Sequence, residues 1–384
     1  MAVGKCNPKK AAGVDGIPGV LIRLLAEHRA DVLLGVLNGV NRCGRIPTVW
    51  KVARVKTEVI LLTRKRILTF FNLDVGDGRE ISTSRTVKYL GVWLDNARGF
   101  SHHLETVCEK AEGFLGAIWA LLPNVNGPRD PVRRLYYEVW ESVVLYGAPI
   151  WASSLARTKN RDILKRAQRA ALIRTSTAYR TMSHGVLCVV TGNLPTHIKA
   201  WMRWKQYDAK RRITDNPGES GPTWKDEMEE LKSVAEDKWR LEWSIHNPYN
   251  WTRRLIEDPL VFYRKRREVN YQVMQILTGH VIFNWYRHRI GKETHTSCWD
   301  CEAAMDDAEH VLFRCPRWAR ERSQLEVELG DDWRIGNRIV ERMASEERLW
   351  TKFCSFCTKV MSDRLRKEKE AEVRRRREGG RRGE

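Results

Sequence analysis

Four residues of the types that hold soft metal ions stand within a short stretch near the C-terminus: Cys298, Cys301, His310 and Cys315, spaced C-x2-C-x8-H-x4-C. Two cysteines separated by two residues clamp one ion from a single tight turn. A histidine and a third cysteine returning further on complete the tetrahedral set that zinc prefers. Four protein ligands leave the ion no open position, so the pattern predicts a structural zinc centre, with Pro316 marking the chain exit. The alternative is a few buried thiols beside an unrelated histidine, and the density of ligand types favours the metal. Trp299, Phe313 and Arg317 beside the ligands are read as closing a small core in preference to stacking on bases. Cys354 and Cys357 repeat the two-residue gap, but in a helix-patterned stretch with no further ligands, and read as buried thiols on one helical face.

The same stretch contains Met305-Asp306-Asp307. Nucleotidyl transfer needs carboxylates converging on two Mg²⁺ ions, and a polymerase holds its paired aspartates on a hairpin between apolar strands. Here the two aspartates lie between Glu302-Ala303-Ala304 and Ala308-Glu309-His310. No apolar strand flanks them, so they are read as solvent-facing acids of the loop between the metal ligands.

The whole chain is strongly basic, +20 over 384 residues, and a protein of this charge seeks polyanions, nucleic acid before an anionic membrane. The C-terminal residues 364–384 hold ten Lys/Arg against five Glu, a net +5, so most of the excess lies elsewhere. The 42% hydrophobic and 30% charged content is ordinary for a globular protein, and sixteen tryptophans can fill more than one core. No apolar run approaches the roughly 20 residues that span a bilayer, and "MAVGKCNPKK" lacks a signal-peptide stretch. The expectation is an intracellular, nuclear protein without a membrane partner, whose nine cysteines are not a disulfide framework.

Periodicity predicts a helix after the Gly/Pro-rich segment 8–19. Strands follow at 56–63 and 86–95, with a turn at 75–79, which together make a small antiparallel sheet. Helices run from 101 to about 200. In 160–180 the apolar face is Ile163, Ala167, Ala170 and Ala171, and the opposite face carries Arg161, Lys165, Arg166 and Arg169. Residues 157–180 hold eight Lys/Arg against one Asp. That imbalance favours a phosphate-tracking helix, with Arg174 and Arg180 extending it, over a merely solvated face. Residues 214–224 read as a linker, the next twenty as a charged helix, and 321–370 as helices ending in a fraying, solvated basic tail. The fold class is α+β, mostly α.

The metal pattern is preceded by "QVMQILTGHVIFNWYRHRIG" and followed by "CPRWARER". This combination resembles the C-terminal region of the polyproteins of non-LTR (LINE-type) retrotransposons, especially those of arthropods. "KAAGVDGIPGVLIRLL" and "GRIPTVWKVARV" resemble the opening motifs of their reverse transcriptase. "KTEVILLTRKR" resembles the segment after its catalytic hairpin, and "VKYLGVWLD" its primer-grip region. "FSHHLETVCEKA", "RRLYYEVWESVVLYGAPIWA", "RAQRAALIRTSTAYRTMS" and "NWTRRLIEDP" look like thumb and connector. The series covers nearly the whole chain in family order. It implies a remnant of a right-hand polymerase: a fingers remnant (1–55), the end of the palm with primer-grip-like strands (56–100), a helical thumb (101–200), a helical connector (201–290), a CCHC zinc knuckle (291–320) and a C-terminal helix with basic tail (321–384).

The departures bear on activity. Trp50-Lys51-Val52-Ala53-Arg54-Val55 runs directly into Lys56-Thr57-Glu58, where the family carries most of its palm and its catalytic aspartates. Asp15, Asp74, Asp77 and Asp95 match no catalytic position, and Ala12 and Val14 stand where prolines are usual. The resemblance therefore implies a fragment of an RNA-directed DNA polymerase that handles RNA and DNA, the element's transcript and its target, without polymerising. No catalytic residue is assigned. Zinc is the structural cofactor, and Mg²⁺ is expected only for an intact parent. The alternatives are a non-catalytic, zinc-stabilised nucleic-acid-binding protein derived from a retroelement, or a gene model that has lost the palm across Val55–Lys56.

Overall fold

A computed structural model describes residues 58–62, 71–74, 80–118, 122–123, 127–215 and 222–380, except 246, 248, 281, 331, 332, 336 and 337. The expected fingers remnant, the helix within it and the turn at 75–79 lie outside these residues. The chain divides into two compact units, Met1–His103 and Leu104–Glu384.

The first unit contains β1 (Val59–Ile60), β2 (Asn72–Asp74), β3 (Glu80–Ser84), β4 (Thr86–Tyr89) and β5 (Val92–Asp95). These strands correct the expectation of one antiparallel sheet over 56–95. β2 and β3 pair antiparallel, but β1 joins β3 in parallel with Val59 opposite Thr83, in the order β1-β3-β2. The stretch between β1 and β3 is long enough for the crossover that a parallel pair needs. The strand read through 86–95 is instead a hairpin of β4 and β5 with Tyr89 opposite Val92. Leu90 (φ 47°) and Gly91 (φ 84°) both take left-handed backbone, the two-residue turn whose twist matches that of the strands. Leucine carries no turn signal, so the sequence pattern runs straight through it. Asp95 ends the hairpin: its carboxylate accepts the N–H groups of Ala97 (3.1 Å), Gly99 (2.7 Å) and Phe100 (2.5 Å).

The second unit is helical among the described residues. Its N-terminal part holds α1 (Ser101–Ile118, which begins just before the boundary), α2 (Asp130–Val144), α3 (Ala148–Trp151), α4 (Thr158–Thr175), α5 (His184–Thr191), α6 (Thr196–Asp215) and α7 (Trp224–Ser244). Then follow α8 (Trp251–Leu255), α9 (Val261–Lys265), α10 (Tyr271–Thr278), α11 (Asn284–Arg289), α12 (Ala319–Leu329), α13 (Ile339–Ser345) and α14 (Glu347–Gly380). This arrangement agrees with an α+β, mostly helical class.

Short apolar α5 and α10 form the centre. Val186 to Thr191 and Val273 to Thr278 are buried all round, as expected of helices without a polar face. Each is started by a side-chain cap, Ser183 or Asn270, and stopped by a left-handed glycine, Gly192 or Gly279. At Gly192 (φ 64°) an added Cβ would meet the Phe262 carbonyl oxygen at 2.5 Å. Gly192→Ala is therefore expected to cost at least the ~1–2 kcal/mol of left-handed backbone. Urea unfolding followed by tryptophan fluorescence reads this, and an unchanged midpoint contradicts it. Trp140, Trp151, Trp239, Trp243, Trp318 and Trp350 are all buried. The indole N–H groups of Trp151, Trp243 and Trp350 reach backbone carbonyls at 3.0 Å, which lets large rings enter a core without an orphaned donor.

On α4 the buried stripe is rotated from the expected one. Ile163, Leu164, Gln168, Ala171, Leu172 and Thr175 are buried, while Ala167 and Ala170 are only half-buried. Gln168 hides the true stripe from a hydrophobicity reading. Its amide donates to the Tyr137 hydroxyl (2.8 Å) and the Leu194 carbonyl (3.0 Å), and its oxygen accepts from Thr196 N–H (2.8 Å) beside His184 Nε2 (2.8 Å). A side chain so fully satisfied is buried at little cost.

Candidate metal centre and basic cleft

The four ligand-type residues converge. One donor atom from each of Cys298, Cys301, His310 and Cys315 lies within 4.8 Å of every other. Cys301 Sγ is 3.2 Å from His310 Nε2 and 3.8 Å from Cys315 Sγ. Zinc–sulfur bonds of about 2.3 Å place tetrahedral ligands about 3.7 Å apart, so the donor set fits one zinc ion. Among the described residues no other group of His, Cys, Asp or Glu gathers in this way. Cys354 and Cys357 lie on α14, Cys357 fully buried, and burial raises the thiol of Cys354 to about 12.

Local backbone explains the convergence. Cys298 and Cys301 sit on a tight turn in which Glu302 N–H reaches the Cys298 carbonyl (3.0 Å) and Cys298 N–H the Ala303 carbonyl (2.8 Å), with Glu302 at φ 60°. The Asp300 N–H points at Cys298 Sγ from 3.4 Å. His310–Arg314 is a π-turn, closed by Cys315 N–H on the His310 carbonyl at 2.7 Å. That widened turn carries residues five apart to the same side, which is what the four-residue gap before Cys315 requires. Asp307 caps this turn, its carboxylate accepting His310 N–H at 2.7 Å. A hydrogen bond from Cys315, outweighing burial, holds the Cys298 thiol well below its ordinary value, and the Cys315 thiol is raised in return.

Asp306 is not solvent-facing, which corrects the sequence expectation, while Asp307 is half-buried. Asp306 is fully buried. It pairs with Arg364, and its Oδ2 accepts Asn284 N–H at 2.8 Å. Burial pushes its carboxyl up to about 6, although Arg364 pulls the other way. Arg364 also donates to Asp300 Oδ2 at 2.8 Å, and none of these three side chains is exposed to solvent. Its guanidinium lies 4.0 Å from Cys298 Sγ and over the faces of Phe283 (5.6 Å) and Trp299 (5.8 Å). Burial opposes its charge, yet Asp306, Asp300 and Cys298 together hold its pKa above the ordinary value. Lys367 reaches Asp300 Oδ1 at 2.5 Å. The fraying tail expected from about residue 364 is thus corrected over Arg364–Glu368, where α14 is anchored on the metal loop. Arg364 is 66 residues from Cys298 in sequence, and only its position in a basic, Leu-containing helix hinted at burial. Trp299 lies half-buried between Arg287 (5.6 Å) and Arg364, half-buried Phe313 meets Trp333 at 5.4 Å, and the exposed Arg317 covers buried Trp318 at 4.6 Å.

The six basic residues singled out on and after α4 do not form one stripe. Arg161 is turned back onto the Leu155 (2.7 Å) and Ala156 (3.1 Å) carbonyls, and Lys165 pairs with Glu242 at 3.4 Å. Arg166 is exposed, its Nε on the Asp162 carbonyl at 3.4 Å. Arg169, Arg174 and Arg180 come together instead in a cleft of about 1360 Å³. Arg287 and Lys292, which the sequence reading did not select, complete its cationic lining. Arg169 donates to the Met182 carbonyl at 2.7 Å and to that of Arg180, and Arg174 pairs with Glu112 at 2.8 Å.

No helix among the described residues is long and apolar enough to cross a membrane. No family model matches the chain, and no solved structure matches it. Curated relatives do. The chain is 26% identical over 285 residues to a 115 kDa protein in the type-1 retrotransposable element R1DM of Drosophila melanogaster. It is 27% identical over 258 residues to a retrovirus-related Pol polyprotein from the type-1 retrotransposable element R1 4 of Nasonia vitripennis. It is 26% identical over 252 residues to the corresponding R1 Pol polyprotein of Bradysia coprophila. These matches take in 71%, 65% and 62% of this chain but 28%, 64% and 25% of the relatives, so the chain spans only part of their length. Along roughly two thirds of its length, this protein is homologous to the Pol polyproteins of arthropod R1 non-LTR retrotransposons.

Proposed function

We propose that this chain is a retroelement-derived, zinc-stabilised nucleic-acid-binding protein: the thumb, connector and zinc knuckle of a reverse transcriptase without a catalytic palm, acting on RNA and DNA in the nucleus. The observation that carries this reading is the convergence of Cys298, Cys301, His310 and Cys315 at tetrahedral spacing. All four positions of the ion are taken by protein, so the zinc builds the fold and does no chemistry. The net charge of +20 supplies the attraction to a polyanion. Asp95, the described acid next to the primer-grip-like strands, is occupied by three backbone N–H donors and holds no ion in this reading.

Zinc titration against a chromophoric chelator should give one ion per chain. Binding of a labelled oligonucleotide should weaken steeply with salt as phosphate contacts release counterions. With primer, template and Mg²⁺ the protein should incorporate no nucleotide. Incorporation abolished by mutating one carboxylate would sink the non-polymerising assignment, and salt-independent binding would sink the nucleic-acid assignment.

A further inference from the structure

The cleft has a composition that separates single strands from duplexes. Its apolar lining, which would serve as a floor, combines the buried Leu122 and Ala178 with the more accessible Ile173 and Ile290. Its lining brings five cations, Arg169, Arg174, Arg180, Arg287 and Lys292, from two stretches of chain far apart in sequence. The acids that line it are Glu368 and Glu372, on successive turns of α14. Arg287 is nearly buried and pairs with Glu368. Arg180 and Lys292 are exposed and enter no ion pair among the described residues. A duplex presents mainly phosphates and would leave the apolar floor uncovered. An unpaired segment can lay bases on such a floor while its phosphates meet the cations.

Resting on the nucleic-acid reading above, we propose that this cleft, which adjoins the metal loop through Arg287 over Trp299, is a binding site for single-stranded RNA or DNA. Phosphates meet Arg180 and Lys292 at the mouth and bases lie on the floor. The carboxylates of Glu368 and Glu372 stand where further phosphates would sit and compete with them for Arg287 and its neighbours. The competing acids belong to the helix that Arg364 anchors on the metal loop, so they are held at the cleft and do not drift away.

The test uses the full, zinc-loaded chain with labelled oligothymidylate and oligouridylate of about a dozen nucleotides and a duplex of the same length, followed by fluorescence anisotropy over a salt series. Arg180→Ala with Lys292→Ala, both exposed, should weaken single-strand binding about tenfold at low salt. The double change should also flatten the log–log salt slope by about 1.4, the loss of two single-strand phosphate contacts. Glu368→Gln with Glu372→Gln should tighten binding several-fold. Zinc content and the circular dichroism spectrum should be unchanged in both pairs. Wild-type binding with an unaltered slope in the arginine–lysine pair overturns the cleft site and leaves the general reading standing. Equal preference for the duplex overturns the single-strand assignment, and no tightening in the glutamine pair overturns the competition. Failure of the wild type to bind any of the three probes defeats the nucleic-acid reading itself.

Discussion

Arg364→Met is expected to lower the stability of the second unit by about 3–5 kcal/mol, the cost of removing one member of a buried ion group and leaving its partners charged. Two carboxylates with no solvent exposure, Asp300 and Asp306, would lose their shared cation. Asp306 has Asn284 N–H left, and Asp300 has the half-buried Lys367. Methionine keeps the packing against Phe283 and Trp299, so the measurement isolates charge from volume. Urea unfolding read by tryptophan fluorescence gives the loss. Combining Arg364→Met with Asp300→Asn and Asp306→Asn should recover much of it, because a neutral set no longer contains an unpaired buried charge. A loss below about 1 kcal/mol, the worth of a surface pair, would mean that water reaches these groups and that α14 is not anchored as described.

The second large effect concerns the metal. Zinc removal by a chelator, or Cys315→Ser, is expected to unfold the segment around residues 296–318 and loosen the part of α14 that contacts it. Structural zinc contributes about 10–16 kcal/mol of apparent binding energy in small zinc-finger peptides. Here Val311, Leu312 and Trp318 also hold the segment through full burial, so only part of that energy should appear as lost stability. A loss of about 3 kcal/mol corresponds to roughly 5 °C in melting temperature for a unit of this size. Three thiolates, a neutral imidazole and Zn²⁺ carry one net negative charge, which Arg364 faces from 4.0 Å off Cys298 Sγ. Without the ion, amide exchange should rise in the ligand turn and in α14 near Arg364. Exchange that rises in the ligand turn alone would separate the helix from the metal.

The ligand quartet was legible because all four residues are close in the chain, and their spacing alone restricts the turns that can join them. The helices within 101–200, 225–243 and 321–370 and the buried thiol of Cys357 followed from periodicity, whereas Cys354 is only half-buried. The Leu90-Gly91 hairpin did not, because the turn rests on a leucine in left-handed backbone that no composition rule marks. Asp306 read as a loop acid because its nearest neighbours are polar and small. Its real partner, Arg364, lies 58 residues away.

By itself the sequence determined which residues could hold a metal, that the chain is basic enough to attract a polyanion, and its resemblance to retrotransposon Pol polyproteins. Tertiary structure decided where the charges go. It buried Arg364 between two aspartates and turned Arg161 back onto its own backbone. It gathered Arg169, Arg174 and Arg180 with Arg287 and Lys292 around one cleft. Local pattern sets the propensities of a segment, but the environment of an ion is set by whatever packs against it, and those groups come from distant parts of the chain.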